Sequence, residues 1–261
     1  MSEYPTAIGT STPDAIWLLG HNLADDLLGK ISFSELAFWL AARRRPTADE
    51  VKVFDTVLVS LADHGFTPTA IAARMTYYSA PDSLQGAIAA GLLGGGSRFL
   101  GVTEDTGLYL DASLAEVGDT RDWTDADYDR AASALLKRAR ENRQRIPGLG
   151  HPVHKQRDPR TAVIIAVARE AGTYGPHLAL FEAIGRVQTE ILGRTLPLNG
   201  AGVAGAALAD LGLPVDLLRG FALLARTAGL IGHLVEERID PVAPSIYAEV
   251  DRNAVYRPLE S

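Results

Sequence analysis

The stretch "LPLNGAGVAGAALADLGLPVDLL" (residues 196–218) sets Gly200, Gly202 and Gly205 in the G-x-G-x-x-G spacing of a dinucleotide-binding turn. Such a turn needs a buried strand immediately before its first glycine. Here the preceding residues are "GRTLPLN" (193–199), which put Pro197 inside the would-be strand and Asn199 at its end. Proline removes a ladder donor and argues against a central strand. After "PVDLL" the next residue is Arg219, where ribose recognition calls for an acid. The stretch is better read as a helix capped by Asn199 and stopped at Gly212 before Pro214. Its glycines and alanines then serve the close approach of another helix.

The same period extends in both directions. Ser32 to Glu35 has capping-box spacing, and a helix follows through "LAFWLAA" to the arginine cluster before Pro46. Thr47 and Glu50 repeat the box, with Phe54, Val57, Leu58 and Leu61 on one face and Gly65 as the stop, so that His64 falls in the last turn. Residues 125–145 form a charged helix with acids early and bases late, as the helix dipole prefers. Helices are also predicted over 161–172, over 176–192 (Leu180, Ile184, Val187 and Ile191 inward) and over 215–239. Alternating strand patterns are almost absent, so the predicted fold class is all-α.

Composition removes several function classes. The net charge is −7, and the longest basic run is "ARRR" at 42–45, which leaves no concentrated basic face for nucleic acid. There is no cysteine, hence no disulfide, thiolate metal site or Cys nucleophile. No apolar run is read as a membrane span and no signal pattern is found, so a cytoplasmic protein without membrane partners is expected.

The segment with the most chemistry is "RIPGLGHPVHKQRDPR" (145–160). His151 stands between Gly150 and Pro152, in backbone unsuited to a packed helix face. Arg160 follows the turn-forming Asp158-Pro159 and falls at a helix N-terminus, a poor place for a cation unless an anion is present. Arg226 lies mid-helix in apolar surroundings and calls for a buried anion, with His233 two turns further along the same face. His151 and His154 make an H-x-x-H, but without an apparent third ligand a zinc site is not expected.

This segment resembles the G-[FL]-G-H-x-[VL]-[HY]-K-x-x-D-P-R signature of the citrate synthase superfamily. "GKISFSELAFWLAARRRPTADE", "LADHGFTPTAIAAR", "GLLGGGSRFLGV" and "ARTAGLIGHLVEE" resemble further family segments in the same order. By size and wording the similarity is greatest to the short stand-alone citryl-CoA lyases and to the citryl-CoA lyase module of ATP-citrate lyase.

The resemblance implies a citrate-synthase-like helical bundle with a small subdomain over roughly 110–195 and a large one from the flanking segments. It also implies a homodimer or dimer-based oligomer. The expected reaction is cleavage of a citryl-CoA-type thioester to acetyl-CoA and a 2-oxo acid such as oxaloacetate, with no tightly bound cofactor and coenzyme A entering as part of the substrate. His64 and His151 take the catalytic positions. Arg98, Arg160 and Arg226 take the carboxylate-binding ones, although a surface salt bridge competes as the reading of Arg98. Gly148, Gly150 and Lys155 fall on the coenzyme A side. Aligning Asn199, Gly202 and Asp210 with the family pattern puts Ala201 where the catalytic Asp belongs, and a methyl group cannot move a proton. Water or a nearby acid such as Asp105 would have to replace it. A lyase for another hydroxyacyl-CoA and a ligand-binding pseudoenzyme are the alternatives.

Overall fold

The computed structural model describes residues 3–152 and 154–259. It opens with a three-stranded antiparallel meander, β1 (Gly9–Ser11), β2 (Ile16–Leu18) and β3 (His21–Asn22), and a short π-helical turn at Leu23–Leu27. The helical period had not marked this meander; its strands are too short to show an alternation. Eleven α-helices follow among the described residues: α1 (Phe33–Ala42), α2 (Ala48–Leu61), α3 (Pro68–Ser79), α4 (Leu84–Leu93), α5 (Val102–Val117), α6 (Asp125–Glu141), α7 (Pro159–Glu170), α8 (Pro176–Leu192), α9 (Gly200–Asp210), α10 (Leu218–Ile239) and α11 (Ala243–Arg252). Apart from the small meander the described residues fold as helices, so the fold is all-α.

The capping signals act where they were placed. Thr47 and Glu50 exchange hydrogen bonds at the start of α2, and Asn199 accepts from the Gly202 amide at the start of α9. The G-x-G-x-x-G glycines therefore lie on a helix, with no strand to make a dinucleotide turn. One boundary differs. α2 ends at Leu61, so His64 lies in the following loop and is no helix cap. The helix stops there because the Asp63 carboxylate accepts from the Gly65 amide at 2.8 Å and turns the chain.

α9 is buried nearly all round, as a helix apolar on every side must be. Its glycines meet backbone and fixed side chains rather than empty space. A Cβ at Gly205 would lie 2.1 Å from the Thr103 carbonyl oxygen on α5, and one at Gly202 would lie 2.5 Å from Gly148 Cα. Its far end is tied by Asp210, whose buried carboxylate accepts from the amides of Gly175, His177 and Leu178 and so caps α8. The core continues through edge-to-face contacts of Phe54 with Phe38 and Phe221.

The helix over 215–239 begins as a 3₁₀ turn at Val215–Leu217 and continues as α10. Contrary to the expectation from sequence, Val215–Ile239 is long and apolar enough to cross a membrane by length and composition. Here one face packs against the core, with Phe221, Ala222, Ala225, Leu230 and Leu234 buried, while Ile231, Val235 and Ile239 on the other are exposed. A Cβ at Gly229 would lie 2.0 Å from the Ala62 carbonyl oxygen, so α10 presses directly on the end of α2.

These contacts separate two kinds of glycine. Gly205→Ala forces backbone apart and should cost at least 1–3 kcal/mol, roughly the price of overpacking. Gly232→Ala on α10 meets nothing within 4 Å and should stabilise by about 0.4–1 kcal/mol. Urea unfolding of both variants checks this; equal effects would contradict the packing described.

Candidate functional site

A cavity of about 370 Å³ opens where the loop after α2, the loop before α5, the 148–158 segment and the first turn of α9 meet α10. It brings together His64, Arg98, His151, Arg160 and Arg226, the predicted catalytic and carboxylate-binding residues, with Asn199 and Ala201 in the same wall. No Asp or Glu lines it among the described residues.

His64 Nε2 and His151 Nε2 are 3.3 Å apart. The backbone amide of His154 donates to His151 Nδ1 at 2.9 Å, so neutral His151 carries its proton on Nε2 and donates it to His64. Burial and the neighbouring His154 push the His151 pKa down to about 4. Burial, Arg160 and His154 lower His64 as well. Both rings are neutral at pH 7.

The third ligand missing from the H-x-x-H is His64, 87 residues away in sequence: ligand nitrogens of His64, His151 and His154 lie within 4.8 Å of one another. The donor set still suits a metal poorly. His151 presents N–H rather than a lone pair at Nε2, and Arg160 and Arg226 add positive charge around His64.

Arg160 has a partner that spacing alone did not reveal. Asp158, the N-cap of α7, is wholly buried and holds the guanidinium as a fork, at 3.0 Å to Nε and 2.8 Å to Nη2. Asp158 also accepts from the Gly200 amide at 2.7 Å, which joins α7 to the start of α9. Burial alone would raise its pKa, but Arg160 and the Gly200 amide hold it well below the usual carboxylate range. Gly200 leaves room for the guanidinium, since a Cβ there would lie 2.3 Å from Arg160 Nε and push it out of the fork.

Arg226 is the reverse case. It is 5% exposed and makes long hydrogen bonds to the Leu61 carbonyl (3.4 Å) and the Thr67 hydroxyl (3.3 Å). Its Nε has no partner among the described residues. Burial lowers its pKa, while Asp63 nearby opposes that shift. Arg98 stands exposed beside the cavity and has no ion pair among the described residues.

The loop bearing His64 is fixed from behind by residues that were not singled out as a group. His233 Nε2 donates to Asp63 at 2.8 Å, and its Nδ1 accepts from the buried Arg74 at 3.0 Å. Arg74 also pairs with Glu237 at 2.9 Å and contacts Glu236. The signal was present in "IGHLVEE", where His233 and Glu237 share one helix face, opposite an arginine in the small-residue run "AIAARM".

The expected coenzyme A residues divide. Gly150 lines a second cavity of about 760 Å³ that shares His151 and Pro152 with the first and carries Arg140, Arg143, Arg145 and Arg194. Gly148 (φ +79°) packs against Phe181 and Gly202. Lys155 donates to the His151 carbonyl at 3.3 Å and borders neither cavity. Asp105, the suggested replacement acid, instead contacts Arg219 at 3.4 Å and is absent from the cavity wall.

The sequence pattern of the family described as citrate synthase, C-terminal domain, matches residues 20–248. The chain is 26% identical over 226 residues to 2-methylcitrate synthase 1 of Corynebacterium glutamicum, covering 82% of this chain and 50% of that protein. It thus spans about half the length of that curated relative. Its fold is similar to the citryl-CoA lyase of Hydrogenobacter thermophilus, with a TM-score of 0.85 and 28% identity over 99% of this chain and 96% of that one. It is also similar to the ATP citrate lyase of Methanothrix soehngenii solved with citrate and coenzyme A (TM-score 0.78, 21% identity, 100% and 42% covered).

Asp158→Asn keeps the side-chain shape but leaves Arg160 without its counter-charge. Breaking such a buried pair should cost roughly 3 kcal/mol or more in urea unfolding. A cost under about 1 kcal/mol would mean that the fork does not hold α7 against α9.

Proposed function

The chain belongs to the citrate synthase family, and from that premise we propose that it is a carbon–carbon lyase cleaving a citryl-CoA-type thioester to acetyl-CoA and a 2-oxo acid. The observation that carries this reading is a cavity with three guanidinium groups, two neutral imidazoles and no lining carboxylate among the described residues, joined across His151 to an arginine-rich second cavity. A substrate with several carboxylates fits the first, and the phosphates of coenzyme A fit Arg140, Arg143, Arg145 and Arg194 in the second.

In the reaction, the C3 hydroxyl gives its proton to an imidazole and its oxygen becomes the ketone of the oxo acid. The C2–C3 bond breaks, its electrons pass into the thioester enolate, and a proton returned to C2 completes acetyl-CoA. His64 Nε2 has the basic lone pair for the first step once substrate displaces the His151 N–H it now receives. Arg160, Arg226 and Arg98 hold carboxylates, and the forked Asp158 keeps Arg160 aimed. With Ala201 in the position of the family Asp, the return of the proton falls to the imidazole pair or to water.

Ala201 also supports a second reading, in which another hydroxyacyl-CoA is cleaved or ligand is bound without turnover. Pairing of two copies is part of the proposal as well. The exposed apolar residues Ile231, Val235 and Ile239 repeat at helical spacing on α10, with Tyr247 and Val250 exposed on α11.

Incubation with (3S)-citryl-CoA should release oxaloacetate and acetyl-CoA. Ala201→Asp places a carboxylate in the first turn of α9, where the dipole favours it, and should raise the rate by about 10²-fold or more. Arg226→Lys should lower kcat/KM at least tenfold, because the fork is lost. Binding of citryl-CoA without product from either the native chain or Ala201→Asp would replace the lyase reading with the binding one.

A further inference from the structure

One face of α10 follows the loop that carries His64. Arg226 makes its long hydrogen bonds to Leu61 and Thr67, Gly229 lies bare against the Ala62 carbonyl, and His233 reaches the Asp63 carboxylate. Residues 226, 229 and 233 share that face by helical spacing. The contact at Asp63 is the tightest hydrogen bond of the set, at 2.8 Å against 3.3 and 3.4 Å.

His233 is held in one direction. The Arg74 guanidinium addresses its Nδ1 through Nε at 3.0 Å and through Nη2 at 2.9 Å. An imidazole whose Nδ1 accepts carries its proton on Nε2, where Asp63 receives it. Arg74 is wholly buried and is fixed in turn by Glu237, whose other oxygen accepts from the Ala243 amide at the start of α11 at 2.9 Å. A directional chain therefore runs from α11 through Glu237, Arg74 and His233 to Asp63. At its end Asp63 divides its oxygens, Oδ1 taking His233 and Oδ2 the Gly65 amide. His64 lies between these two anchored residues. Arg74 also stands over the Phe66 ring, 4.9 Å from its centroid.

Stability is a weak reason for such a chain. A buried ion pair contributes little over apolar side chains of the same volume. What it supplies here is a fixed geometry. His64 needs one, because its Nε2 meets His151 Nε2 at 3.3 Å, and a catalytic group misplaced by about 1 Å loses on the order of 10²-fold in rate.

We propose that His233 is a positioning residue for His64, which it aims at His151 by holding Asp63 in a direction set by Arg74. His233 itself does not line the cavity. The aiming of His64 stands on this geometry; its consequence for turnover rests on the lyase reading.

The test compares His233→Gln with His233→Leu in the full chain. Glutamine donates to Asp63 through its amide nitrogen and accepts from Arg74 through its carbonyl, whereas leucine fills the space and does neither. The first readout is ¹⁵N NMR of the His64 imidazole without substrate. The native chain and His233→Gln should both show Nε2 as a hydrogen-bond acceptor and a titration below 6.5. In His233→Leu the acceptor shift should be lost, and the titration should rise toward 6.5 as burial and Arg160 cease to act on the ring. The second readout is citryl-CoA turnover. His233→Leu should lower kcat roughly tenfold or more with little change in KM, and His233→Gln should restore it to within about threefold of native. An unchanged His64 spectrum in folded His233→Leu would reduce His233 to packing and overturn the proposal, as would a glutamine variant that behaves like leucine. Should His233→Leu fail to fold, Asp63→Asn breaks the same link from the loop side, and a retained His64 acceptor shift there would overturn the proposal equally. The NMR readout uses no thioester, so a chain without lyase activity still shows whether His64 is aimed by His233, and the two readings fail separately.

Discussion

Along α9, Gly200, Gly202 and Gly205 press against three separate parts of the chain with no room for a Cβ. Gly200 meets the Arg160 guanidinium, Gly202 meets Gly148, and Gly205 meets the Thr103 carbonyl. Those three neighbours belong to α7, to the loop leading to His151 and to the start of α5. One helix, bare at these three positions around its circumference, thereby fixes the distances among three segments that share no sequence proximity. Asn199 adds to this from the cap position, since it closes α9 on the Gly202 amide and reaches the Gly150 carbonyl at 2.7 Å. Glycine is a poor helix former in isolation, and the burial that these three permit outweighs that deficit.

Charge is balanced unevenly in the cavity built this way. Arg160 is neutralised by Asp158, Arg226 feels Asp63 only at a distance, and Arg98 has no ion pair among the described residues. Into this positive surplus the chain sets two imidazoles whose protonation would add more charge to a half-buried site. Neutral rings are the consequence, and neutral rings are what a base needs at pH 7. The surplus is compensated when an anionic ligand enters. The same field opposes a metal cation at the three histidines.

Helix positions, caps and the buried face of α2 were legible because each depends on local periodicity and on residues three or four apart. The meeting of His64, His151, Arg160 and Arg226 could be anticipated from the family resemblance. What spacing could not give was the identity of partners. Asp158 lies two residues from Arg160, yet the "DPR" run reads equally well as a turn with a free arginine. The convergence of His64 with His151 and His154, and the chain from Arg74 through His233 to Asp63, join residues far apart in sequence that only tertiary packing brings together. The span-like length of α10 is hidden in the sequence because Arg219, Arg226 and His233 interrupt its apolar stretch.

The claim on which the account turns is that the His64–His151 pair is neutral and directionally hydrogen-bonded in the free protein. Imidazole ¹⁵N NMR across pH 3.5–8 measures this directly. The account predicts His151 neutral with its proton on Nε2 down to about pH 4, and His64 titrating below the ordinary value of 6.5. A His151 protonated on Nδ1 at pH 7, or either ring titrating at or above 6.5, would contradict it.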